Sequence, residues 1–290
     1  MKGFFMSCGP IQDAAKNLAA EIAEAVEAVR KNNPMAGSIT NTVTIDFVAN
    51  AQLAVGGSAA MVYLPDEGEF LVRAGGATYV NMGTMFPVYE QTLPAVGRIS
   101  AELKKPWVLD PVGIGIGSLR TKLLHELRQY KPAIVRGNSS EIIALAGLWD
   151  VLDRVDKTSR PRGVDSTDEV EAAREAALAI ARFTGGAVAV SGKEDLVTDG
   201  HFVAYSKGGS ELMNKVTGFG CSLGGVCAVY ATQTTPFVAA LAAVAHYNAA
   251  GTCARVRAQA PASFKVAFID ELYRLTAEEI SQNPLRVEEA

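Results

Sequence analysis

Near the N-terminus, apolar residues recur at helical spacing over 11–30 (IQDAAKNLAAEIAEAVEAVR) with charges opposite, predicting an amphipathic helix. Asn33-Pro34 and Gly37 break it, and 46–55 reads as a second helix stopped by Gly56-Gly57. Short apolar runs then alternate with amphipathic ones. Strands are predicted at 59–64, 77–82, 107–112 and 132–136, with a polar helix between the first two. Further helices are predicted at 90–104, 119–129 and 139–148. An Ala-rich helix at 167–183 has Ser166 or Thr167 as its cap. Three β runs at 186–191, 196–199 and 202–206 predict hairpins at one sheet edge, and 220–280 reads as nearly all helical. Residues 151–168, polar with Pro161 and Gly163, read as a solvated connection. Such alternation predicts an α/β protein: a single domain over 1–290 with a mostly parallel sheet covered by helices on both faces.

Composition narrows the possibilities. Of 290 residues 49% are hydrophobic and 20% charged, which excludes a disordered chain. Lys+Arg 27 against Asp+Glu 31 gives a net charge of -4, so no positive field recommends nucleic acid as a partner. Cys8, Cys221, Cys227 and Cys253 show no CxxC spacing and the histidines are scattered, so neither a zinc site nor a disulfide framework is expected. A reducing, cytoplasmic setting suits this pattern. The opening MKGFFMSCGP is too short an apolar run for a signal peptide. The apolar stretch 234–250 contains His246 and Asn248 at helical period and reads as a buried helix, so no membrane span is expected.

Four segments can carry chemistry. NKVTGFGCSLGG at 214–225 places glycines, including Gly218, before a long apolar helix, which suits a backbone cradle for an anion. No GK[ST] follows, so it is not a Walker loop. Cys221 lies in the first helical turn, where the helix end is expected to lower a thiol pKa. WVLDPVGIGIGSLR at 107–120 puts Asp110 at a strand end, where parallel sheets hold ligands. PAIVRGNSSEI at 132–142 offers Arg136 for phosphate and Glu141, which serves either a capping-type helix start or, with Asp110, a Mg²⁺ ion. GSITNTVTIDFVAN at 37–50 adds Asn41 which, with Met61 and NMGT at 81–84, lines a pocket with an apolar wall and polar points. An acid, an arginine, a glutamate and an anion cradle without a nucleophile triad fit phosphoryl transfer.

The ordered stretches ITNTVTIDFVAN, LAVGGSAAM, NMGT, VLDPVGIG, VRGNSSEI, GVDS, VTDG and VTGFGC resemble hydroxyethylthiazole kinases of the ribokinase-like superfamily, over about residues 12–275. The resemblance implies a three-layer αβα sandwich. It also implies transfer of the ATP γ-phosphate to the primary hydroxyl of 5-(2-hydroxyethyl)-4-methylthiazole for thiamine synthesis. It assigns Met61, Gly218 and Asn41 to the thiazole side and Arg136 and Ser191 to ATP. Asp110 and Glu141 go to Mg²⁺, and Cys221 to the position where many relatives carry an Asp base. A homotrimer with sites at subunit contacts is implied as well. The chain departs from the family pattern at Gly37-Ser38, at Phe219 and at 260–264 (APASF), which implies a divergent member with a shifted substrate preference.

Overall fold

A computed structural model describes residues 10–152 and 170–290. Cys8, the Ser166/Thr167 cap, GVDS and nearly all of the connection at 151–168 lie outside them. The chain opens with α1 (Pro10–Asn32), β1 (Met35–Ile39), α2 (Ile45–Ala54), β2 (Ser58–Met61), α3 (Pro65–Ala74) and β3 (Ala77–Asn81). It continues through α4 (Tyr89–Leu103), β4 (Trp107–Asp110), α5 (Ser118–Leu127), β5 (Ile134–Asn138), α6 (Ser139–Trp149), α7 (Arg174–Thr184) and β6 (Ala187–Ser191). Then follow β7 (Asp195–Thr198), β8 (Phe202–Ser206), α8 (Phe219–Ala231), α9 (Pro236–Arg257), α10 (Pro261–Arg274), α11 (Ala277–Ser281) and β9 (Leu285–Glu289).

The strands form one sheet in the order β2-β1-β3-β4-β5-β6-β7-β8-β9. From β2 to β6 neighbours run parallel, and β7, β8 and β9 continue antiparallel. Successive side chains alternate between faces. Tyr79 and Val108 join the core under α1, α2 and α8–α11, while Val80 and Leu109 join the core under α3–α7. The result is a three-layer αβα sandwich, as expected.

Three elements depart from the expected order or are absent from it. The first concerns β1, whose MAGSI sequence carries a glycine that reads as a breaker. A Cβ at Gly37 would stand 2.8 Å from the Leu71 side chain, so this glycine lets α3 close onto the strand. The second concerns β9 (LRVEE), a charged outer strand whose one buried residue, Val287, gives little periodic signal. The third concerns α7, which begins at Arg174 after a 3₁₀ turn over Val170–Ala173, later than the sequence suggests.

The 22-residue α9 is long and apolar enough to cross a membrane, but 89% of its most apolar window is buried in the protein. It is the central helix of its layer. His246 within it is fully buried, with Nδ1 2.8 Å from the Tyr230 hydroxyl. Desolvation, helped by Arg30, pushes this imidazole down to about 3. The unfolded chain, with an ordinary histidine near ~6.5, therefore binds one more proton between pH 6.5 and 3. Stability is expected to fall with decreasing pH in that window by up to about 1.4 kcal/mol per pH unit more than in His246→Gln. Urea unfolding of both proteins across the window measures the difference; parallel curves would contradict it.

Candidate active site

The carboxyl ends of the parallel strands lie side by side, and each delivers a polar group. Asn81 ends β3 beside Asp110 at the end of β4, in register. Asn138 ends β5 opposite Ser191 at the end of β6. Asn41 follows β1 by two residues. A strand end is a natural place for such groups, because the ladder stops there and side chains can turn toward one cleft.

Asp110 is the centre. It is fully buried, and its Oδ2 accepts hydrogen bonds from the Tyr79 hydroxyl at 3.0 Å, from Asn81 Nδ2 at 3.3 Å and from Arg136 Nη1 at 3.3 Å. Its Oδ1 is buried without a partner. Arg136 Nη2 donates to Ser191 Oγ at 2.9 Å, while its Nε is also buried without a partner. Desolvation pushes the Asp110 carboxyl up to about 7, with Arg136 pulling it down and Glu141 adding to the rise. Desolvation opposes the Arg136 charge, but Asp110 and then Glu141 outweigh it and hold the guanidinium protonated.

Two glycines of α8 make this arrangement possible. A Cβ at Gly220 would fall 2.5 Å from Arg136 Nη1, and one at Gly224 would fall 2.5 Å from the Tyr79 ring. The helix start therefore rests directly on the buried network. Gly218, the N-cap, has φ +101°, a conformation that favours glycine. The first helical bond runs from Ser222 N to Gly218 O, so the N–H groups of Phe219, Gly220 and Cys221 lie upstream of the ladder. With the positive helix end, they have the geometry to receive an anion, which is what the glycine pattern suggests.

Cys221 sits in this first turn, and its Sγ accepts from Asn41 Nδ2 at 3.4 Å. Its thiol is not lowered, as the helix end alone would have it. Burial, and next the Asp110 carboxylate, push it up. Asn41 itself is fully engaged. Its Oδ1 accepts from Val43 N and Thr44 N at 3.1 and 3.0 Å, and its Nδ2 also reaches Asn81 Oδ1 at 2.9 Å. It bridges Cys221 to Asn81 and orders the turn before α2.

Glu141 closes a capping box with Asn138: its Oε2 accepts from Asn138 N at 2.9 Å, and Asn138 Oδ1 accepts from Glu141 N at 2.9 Å. Its side chain folds back over Gly137, toward the strand end beside Asp110. Among the described residues, no group of three or more His, Cys, Asp or Glu side chains could close around a metal. A magnesium ion carried by phosphates and waters needs fewer protein ligands. The buried, unpartnered Oδ1 of Asp110 is a hard oxygen of the right kind.

The structure thus brings Asn41, Asp110, Arg136, Ser191, Gly218 and Cys221 together, with Glu141 alongside. Met61 lies apart. It ends the outermost strand β2, three strands from β4, about 14 Å at the usual ~4.8 Å spacing. Asn81, the first residue of NMGT, joins the centre, and so does Tyr79, which ATYVNM gives only as a strand residue. The signal available was a tyrosine and an asparagine spaced to share one strand face, next to a strand ending in Asp. Two of the departures from the family pattern, Phe219 and Gly37-Ser38, are taken up by packing within the fold. Phe219 is buried edge-on against Phe47 and Phe268, with ring centroids 4.9 and 4.7 Å away. Gly37 lies inside β1 against α3, and Ser38 Oγ donates to Gln52 Oε1 at 3.4 Å on the other face.

A six-strand parallel edge and a glycine-lined helix start over a buried Asp–Arg pair are the layout of a ribokinase-like α/β protein. At the level of fold, a ribokinase-like superfamily protein from Enterococcus faecalis V583 aligns with TM-score 0.60 and 11% identity, covering 94% of this chain and 98% of that one. The model of the hydroxyethylthiazole kinase family matches residues 26–278, and the chain belongs to that family. It is 48% identical to the hydroxyethylthiazole kinase of Bifidobacterium adolescentis over 282 residues, covering 94% of this chain and 96% of that protein. The structure of the hydroxyethylthiazole kinase protein from Pyrococcus horikoshii OT3 aligns with TM-score 0.81 and 32% identity, over 93% of this chain and 98% of that one.

Removing one member of the buried pair strands the other. Arg136→Met is expected to cost about 3–5 kcal/mol in urea unfolding, and Asp110→Asn in the same chain to recover part of it. Equal cost with and without the second change would show the two charges to be uncoupled.

Proposed function

We propose that this protein transfers the γ-phosphoryl group of ATP to the primary hydroxyl of 5-(2-hydroxyethyl)-4-methylthiazole, as a cytoplasmic enzyme of thiamine synthesis. The observation that carries this reading is the start of α8, where unladdered N–H groups and Gly220 lie against the Arg136 guanidinium. Phosphoryl transfer proceeds through a loose transition state with charge spread over the transferred oxygens, so placement and charge stabilisation matter most.

In this reading the transferred group lies over Gly218–Cys221. Backbone N–H groups and the helix end stabilise its oxygens, and Arg136 supplies the fixed cation. Ser191 and Asp110 hold that guanidinium in place. Cys221 stands beside the attacking hydroxyl, and its sulfur is oriented by Asn41. Because its thiol is pushed up, it does not deprotonate the alcohol in advance. Only its minor thiolate form can take up the hydroxyl proton, becoming S–H as the new O–P bond forms, and a loose transition state asks for that transfer only late. Asp110, through Oδ1, and Glu141 would hold Mg²⁺, which when bound neutralises charge on the phosphates. The position of Met61 on the outermost strand supports the implied homotrimer with shared sites, since a thiazole contact from Met61 would then reach the cleft of a neighbouring copy.

An ADP-release assay with ATP, Mg²⁺ and hydroxyethylthiazole, hydroxymethylpyrimidine, pyridoxine or ribose tests the reading. Turnover is expected with the thiazole alone, retained in Cys221→Asp and strongly reduced in Cys221→Ser. Turnover with a different alcohol would overturn the substrate, and equal rates in all three proteins would remove Cys221 from the mechanism.

A further inference from the structure

Beside Ser191, the sheet turns antiparallel, and two loops rise at the carboxyl edge. One is the turn at 192–194 between β6 and β7. The other, at 207–217, leaves β8 and delivers Gly218 to the start of α8. Asp195 and Ser206 face each other in register at the base of the two loops.

A connected set of polar side chains ties both loops to α9. Asp195 Oδ1 accepts from Gly192 N at 2.9 Å, which closes the turn directly after Ser191. Its Oδ2 accepts from Asn248 Nδ2 at 3.0 Å. The same Nδ2 donates to Ser206 Oγ at 3.0 Å, and Asn283 Nδ2 donates to that oxygen at 2.9 Å and to Lys207 O at 3.1 Å. The Asn248 carbonyl accepts from Gly209 N at 2.9 Å. At Gly208, φ is +145°, and a Cβ there would stand 2.8 Å from Asn248 Cβ, so the chain is pressed against the helix. Asn248 is 5% exposed. Desolvation pushes the Asp195 carboxyl up to about 6, consistent with its enclosure.

A fold that merely needed to close these loops could do so with apolar packing. Instead, a desolvated carboxylate and a buried amide sit where the loops meet. The geometry matters for the cleft. The first loop follows directly on Ser191, which holds Arg136 Nη2, and the second leads into Gly218 at the start of α8. In the kinase reading the acceptor alcohol lies elsewhere, beside Asn41 and Cys221. In that reading a nucleoside triphosphate with its last phosphate on the start of α8 and its chain past Ser191 passes between these two loops.

We propose that Asp195 and Asn248 are positioning residues for the nucleoside triphosphate, setting the spacing of the two loops that flank it and leaving the acceptor side untouched. This rests on the kinase reading above. Kinetics and nucleotide binding of Asp195→Asn, Asn248→Asp and the reciprocal double variant test it. In the double variant, amide and carboxylate exchange places, and Ser206 can turn its hydroxyl to donate.

Each single variant is expected to raise the KM for ATP about tenfold, the size of one hydrogen bond to a charged group. The acceptor KM stays at its wild-type value, and kcat changes less than about twofold. The double variant is expected to recover most of the ATP affinity. A purely structural role would lower the melting temperature without splitting the two KM values. An unchanged ATP KM in both single variants, an equal rise in both KM values, or a double variant worse than either single would overturn the proposal. Calorimetric ADP binding, measured without acceptor, reports the same loss and recovery. If wild-type protein phosphorylates another alcohol or none, the substrate reading fails, while the ADP measurement still decides this one.

Discussion

The contact between Gly220 and the Arg136 guanidinium is the constraint on which the cleft depends. Arg136 is a buried cation held by Asp110 on one side and Ser191 on the other. Both partners reach it because β4, β5 and β6 are adjacent, with the end of β4 level with Arg136 and Ser191 two residues further along the sheet. A buried ion pair is weak evidence of stability, since desolvation consumes most of the Coulombic gain. Its value here is placement. The pair fixes a cation at the sheet's edge, and the glycine lets a helix start settle directly over it. Two sources of positive potential are thereby superimposed, which suits a transferring phosphoryl group.

The network then spreads along the edge by hydrogen bonds between strand ends. Tyr79 and Asn81 bind Asp110, Asn41 binds Asn81, and Asn41 binds Cys221. Each link joins elements far apart in sequence, from residue 41 to residue 221. The sheet brings them within reach at little conformational cost, because each strand is already fixed by its ladder. Gly224 serves the same end by leaving room for the Tyr79 ring beneath α8.

Much of this was legible in the sequence. Alternating periodicities define the layers, and the glycine cluster at 218–225 marks the cradle. Asp110 stands at a strand end that could be read directly, whereas Arg136, read as closing its strand, lies two residues before the end of β5. Other features depended on tertiary contacts. A glycine in β1 looks like a breaker until Leu71 is seen packed against it. The charged β9 pairs with β8 without an apolar pattern of its own. A helix end suggests a lowered thiol, but burial and Asp110 reverse the direction at Cys221. Phe219 seems bulky for the cleft in sequence, yet its backbone lies at the cradle while its ring is packed with Phe47 and Phe268 in the core.

The measurement that bears most directly on this account is the activity of Gly220→Ala, which adds a single methyl group 2.5 Å from Arg136 Nη1. The account predicts a folded protein, with circular dichroism like that of the wild type. Its kcat/KM should fall by at least about 100-fold, the scale on which a displaced electrostatic stabiliser acts. A variant with near-wild-type kcat/KM would contradict it, since the helix start and the guanidinium would then not need to touch.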